Sequence, residues 1–91
     1  MEDIVRTDGV LGGEPRLDGT RIGVRHVYEL VEGDYPPGDV ADQLDLSLGQ
    51  VYSALAYYHD HPEEMRKVRR AHEEGERRLA EKALSPPDPA K

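Results

Sequence analysis

His59, Asp60 and His61 come nearest to a metal-binding set in this chain. Two histidines that share one ion from a helix need i,i+4 spacing, and these stand two apart with no third ligand in sequence reach. The other reading is a polar helix C-terminus, where a histidine suits the dipole. The absence of cysteine excludes disulfides, thiolate metal sites and a cysteine nucleophile. The carboxylates form no pair that can be placed in a cleft, and no Ser/His/Asp order is recognisable. The glycines miss both the GxGxxG and the P-loop spacing. Neither an enzyme, a cofactor nor a metal is expected.

Recognition chemistry is better represented. Gln50 can read adenine through a bidentate contact, and Ser53 can contact a base or a phosphate. With Gly49, Ala56 and Tyr57 they fall on one outward face if Val51, Leu55 and Tyr58 face inward. Phosphate contacts supply most DNA affinity, yet between Pro37 and His61 there is no Lys or Arg, while Asp39, Asp42, Asp45 and Asp60 are present. Cations for a DNA backbone must come from Arg16, Arg21 and Arg25, or from Arg66, Lys67, Arg69 and Arg70. Arg21 and Arg25 are the phosphate candidates that go with Gln50, Ser53 and Tyr57. The later cluster also reads as a solvated, salt-bridged helix face. Alternatively Arg69, Arg70, Arg77 and Arg78 engage carboxylates of a partner, since the planar guanidinium pairs them bidentately.

These residues need elements to hold them, and the composition restricts what those can be. At 91 residues with 36% apolar content, no Phe and no Trp, one small domain with a thin core is expected. A buried cavity of enzyme size does not fit such a monomer, and dimerisation is one way to complete the core. No run is long enough to span a bilayer, and the acidic start Met1-Glu2-Asp3 lacks a signal-peptide core. The expectation is a cytoplasmic protein without a membrane partner. A net charge of −7 suits either ordinary solubility or a high-salt setting, and it opposes nonspecific nucleic-acid binding. Residues 1–61 carry four basic and twelve acidic side chains, whereas residues 62–91 carry eight and seven.

Residues 1–22 read as a short β-hairpin segment. Ile4-Val5 and Val10-Leu11 flank Asp8-Gly9, and Asp18-Gly19 precedes Thr20-Arg21-Ile22; Asp-Gly is a strong hairpin signal. So short and glycine-rich a sheet is expected to pair between two chains. Residues 23–61 read as a helix-turn-helix three-helix core. Val24, Val27, Tyr28 and Val31 form the first stripe, with Gly33 at the left-handed C-terminal position. Pro37, Val40, Ala41 and Leu44 form the second. Ser47 and Gln50 fit a capping box, and Leu46 and Val51 a hydrophobic staple. Pro62 ends the third helix and starts a charged fourth over residues 62–84. Residues 85–91, with three prolines, read as a disordered tail. The fold class is mainly α.

Gly12-Gly13-Glu14-Pro15, Gly19-Thr20-Arg21-Ile22, Asp39-Val40-Ala41 with Leu44, Ala54-Leu55-Ala56-Tyr57-Tyr58 and His61-Pro62-Glu63-Glu64 together resemble the family catalogued as domain of unknown function 433. Gly23 and Pro36 depart from its pattern, the first loosening the start of helix one and the second leaving helix two without a side-chain cap. The resemblance implies a helix-turn-helix protein similar to VapB-type antitoxins, encoded beside a PIN-like ribonuclease. Two functions follow as expectations. One is a homodimeric antitoxin that binds operator DNA and neutralises that ribonuclease. The other is a protein-interaction module that inhibits a partner without binding DNA.

Overall fold

The computed structural model describes residues 3–84, so the expected tail at 85–91 lies outside the described residues. Ile4–Val5 (β1) pairs antiparallel with Arg16–Leu17 (β2), in the register Ile4 to Leu17 and Val5 to Arg16. This corrects the expected partner of the first strand. Val10-Leu11 is not a strand, because Leu11–Gly13 closes into a 3-10 turn. Leu11, Gly12 and Gly13 there all take positive φ, which ends any extended run. Leu17, in the strand that does pair with β1, is fully buried and anchors the sheet.

The Asp18-Gly19 turn forms as expected. Thr20 N–H donates to Leu17 O at 3.1 Å, Leu17 N–H to Ile22 O at 2.9 Å, and Gly19 takes φ 79°. Thr20-Arg21-Ile22 adds no third strand; only an isolated bridge joins Arg16 to Gly23. The pairing of β1 with β2 is within one chain. Half-buried Ile4 rests on the helical core, the support that so short a ribbon needs.

Helix α1, Val24–Glu32, starts where the period changes. The left-handed residue after it is Asp34, at φ 76°, and not Gly33, at φ −84°. Gly33 N–H still reaches back to Glu29 O and Leu30 O, so the chain reverses one residue later, at an Asp that tolerates this region. Helix α2, Pro37–Leu44, has proline at its first position, and Pro36 gives no side-chain cap. Asp45 then turns the chain at φ 58°. Helix α3, Leu48–Asp60, opens with both bonds of the capping box between Ser47 and Gln50.

Helix α4, Pro62–Leu84, covers the expected span. Leu17, Val24, Val27, Val40, Val51 and Met65 form the innermost core, to which the sheet and all four helices contribute. Within α3 the buried residues are Val51, Ala54 and Tyr58, while Leu55 is half-buried. A small side chain therefore takes the place expected for a leucine. Tyr28 and Tyr58 stack with ring centroids 3.5 Å apart and joint planes within 3°, tying α1 to α3.

The extents, 57 × 26 × 23 Å, follow from α4. Met65 and Val68 are buried, His72 is half-buried, and every side chain from Glu73 to Ala83 is exposed. At 1.5 Å per residue the exposed stretch reaches about 15 Å past the body.

Candidate functional site

The expected reading face of α3 is not open. The Ser53 hydroxyl donates to Asp3 Oδ2 at 3.1 Å. Tyr57 OH donates to Glu64 Oε1 at 2.6 Å, and its ring stacks on His61 at 4.0 Å. Glu64 also pairs with Arg6, whose Nε donates to Gly13 O. The N-terminal segment is thus laced across the α3–α4 junction, which corrects the outward placement of Ser53 and Tyr57. Both line a hollow of about 190 Å³ with Asp3, Ala56, Asp60 and His61. That lining holds two aspartates and no Lys or Arg, so it repels a phosphate backbone.

Gln50 is committed as well. Its Oε1 accepts from Ser47 N–H at 2.8 Å, and Ser47 Oγ accepts from Gln50 N–H at 3.1 Å. Ser47→Ala should destabilise the fold by about 1 kcal/mol, read as a lower urea midpoint at unchanged slope. An unchanged midpoint would mean that the capping box contributes nothing to stability. The large exposed apolar residues of α3 are Leu48 and Tyr52, which the apolar stripe did not single out.

The phosphate candidates are separated by their surroundings. Arg25 is 13% exposed, donates to Glu29 Oε1 at 2.8 Å and lies 3.6 Å from Glu14, so its charge is already answered. Arg21 is exposed. Arg21 and Arg25 line one depression of about 300 Å³ with Glu14, His26 and Leu44, whereas Ser53 and Tyr57 line the α3 hollow. His61 stacks on Tyr57, while His59 meets the Tyr28 and Tyr58 rings edge-on. Among the described residues no group of three or more metal-type side chains gathers. No described helix is long and apolar enough to cross a membrane.

Positive charge collects on α4. Arg66, Arg69 and Arg70 surround a shallow depression with Glu73. Arg69 Nη1 donates to Tyr58 OH at 3.1 Å, and this bond raises the guanidinium pKa above its usual value. Burial, followed by a hydrogen bond with Glu32, likewise pushes the Tyr28 hydroxyl up. Of the four partner candidates, Arg69 is therefore tied to the body. Arg78 lies 3.9 Å from Glu74 on the exposed arm. Arg70 and Arg77, both exposed, stand seven residues apart and share the solvent face of α4.

Residues 4–58 match the family model described as "Protein of unknown function (DUF433)". The fold is similar to the crystal structure of a DUF433 member protein from Anabaena variabilis. The TM-score is 0.68 at 26% identity, with 74% of this chain and 67% of that chain covered. No curated protein matches the chain. The family match stops at Tyr58, near the end of α3, so α4 stands outside it.

Proposed function

This chain belongs to the DUF433 family of proteins of unknown function, and from that premise we propose that it is a protein-interaction module presenting α4 to an acidic partner. One observation carries the reading: beyond His72 the helix leaves the body with every described side chain exposed. A helix so polar has no stability of its own to spare and gains order by docking. Arg77 and Arg78 on the arm are its contact residues, with exposed Arg70 extending the same face of α4 onto the root. A cytoplasmic setting and an antitoxin-like role fit this reading. The partner class implied by the family resemblance, a PIN-like ribonuclease, would offer clustered metal-binding carboxylates to the guanidinium forks. Operator binding is the weaker reading, because the α3 hollow carries aspartates where a reader needs cations.

The test pairs the protein with the product of the adjacent reading frame. Arg70→Glu with Arg77→Glu should leave the melting temperature unchanged and weaken binding at least thirtyfold, since reversing charge pairs at an interface costs about 2–5 kcal/mol. The upstream DNA should stay unshifted by the unaltered protein at about 0.15 M salt. Undiminished inhibition by the double variant would place the contact elsewhere, and a salt-resistant, sequence-specific shift would restore the operator reading.

A further inference from the structure

A cleft of about 360 Å³ lies between the N-terminal turn and the root of α4. Its apolar side is made by Leu11, Val68 and Ala71, and its polar side by Arg6, Lys67 and His72. The one carboxylate in the lining is Glu14, which faces Arg25 at 3.6 Å. Arg6 spends Nε on Gly13 O and Nη1 on Glu64, which leaves Nη2 unspent. No described carboxylate bridges to Lys67. Arg6 is met by Glu64 and His72 by Glu76 at 3.2 Å, so in a chain of net charge −7 Lys67 is the cation of this lining that no described carboxylate answers.

The wall opposite α4 is backbone that an L-residue seldom adopts. Leu11 is held at φ 52°, between Val10 and two glycines that also take positive φ. Non-glycine residues kept in this region cluster at binding sites, because the surrounding structure must over-determine them. Here the result is an apolar side chain set against Val68 and Ala71 across the cleft.

From these two features we infer that the cleft binds a carboxylate carried on a short branched aliphatic stem. The stem lies along Leu11, Val68 and Ala71, and the carboxylate accepts from Lys67 and Arg6. Small-ligand sites combine an apolar lining with a few converging polar groups in this way. The same chemistry is offered by a free aliphatic acid and by a polypeptide ending in leucine. The site lies at the root of α4, and its lining shares no residue with the partner surface proposed at Arg70, Arg77 and Arg78.

Amide chemical shifts of the full chain, titrated with isovalerate, test the inference. Saturable shifts are expected at Lys67, Val68 and Ala71. Acetate, which lacks the stem, and 3-methylbutan-1-ol, which lacks the charge, should each bind at least tenfold more weakly. Lys67→Met should weaken isovalerate about tenfold through loss of a charge-assisted hydrogen bond, and Ala71→Glu should abolish binding. Both positions are exposed, so the fold tolerates either change. An acetylated tripeptide ending in leucine, compared with its amide, identifies the source. Tighter binding of the peptide acid than of isovalerate points to a chain terminus, and weaker binding to a free acid. Acetate matching isovalerate, an unaltered Lys67→Met titration, or no saturable shift with either probe overturns the inference.

Discussion

A chain ending at Glu64 is expected to be unfolded at room temperature, whereas one ending at Glu74 should melt within about 4 °C of the full protein. The two differ by ten residues and contain the same sheet and the same α1, α2 and α3. Met65 is 1% exposed and Val68 is 9% exposed, so the shorter chain loses two residues from the middle of its core. Removing a buried methionine side chain costs about 2–5 kcal/mol, and exposing the surface under a valine adds about 1.5–3 kcal/mol. The bond from Arg69 to Tyr58 contributes about 1 kcal/mol more. Small domains have about 5–15 kcal/mol in total, and one with so few large apolar residues lies near the lower end. Past His72 no described side chain is buried, so cutting after Glu74 removes surface alone. Thermal melts followed by far-ultraviolet circular dichroism measure both. A cooperative melt from the chain ending at Glu64 would show that α4 is dispensable to the body.

That boundary bears on function. The charge shift after position 61 suggests that the whole of 62–84 is an appendage, but the first three turns of α4 are a fourth wall of the core. Only the part beyond His72 can be removed without unfolding the rest. Binding tests of the proposed partner with truncated proteins must begin there.

The elements that were legible in the sequence are those whose signals are local. Pro37, Ser47 with Gln50, and Pro62 each mark a boundary that the structure keeps, because a missing N–H or a reciprocal cap acts within one helical turn. The contacts that decide the candidate site run over long separations. Asp3 reaches Ser53 across 50 residues and Arg6 reaches Glu64 across 58, and no spacing rule announces either. The cleft at Lys67 was illegible for the same reason, since Leu11 and Val68 meet only after the chain has folded back. Leu55 and Ala54 differ for another cause. Periodicity selects a stripe to within one residue, and close packing of α3 on its neighbours favours the smaller side chain at the tighter position.

Leu17→Ala should be the most damaging single substitution in the N-terminal half, with a loss of about 2–5 kcal/mol. Leu17 is fully buried and lies in β2, opposite Ile4. Its backbone N–H takes the Ile22 carbonyl, and its own carbonyl accepts from Thr20 N–H and from Thr20 Oγ1 at 2.8 Å. The side chain thus fixes the sheet to the helices while its backbone closes the Asp18-Gly19 turn. A cavity here loosens both, and Asp3, which engages Ser53 on α3, immediately precedes β1. In a domain of this size each kcal/mol moves the midpoint by about 4–8 °C, so a fall of roughly 10 °C or more is expected. Leu79 provides the matched comparison, since it is the same side chain at 68% exposure on the α4 arm. Leu79→Ala should shift the midpoint by less than about 2 °C, because no buried surface is lost and alanine is the better helix former. Similar melting temperatures for the two variants would mean that Leu17 does not anchor the sheet, and that β1 is held by Arg6 and Asp3 alone.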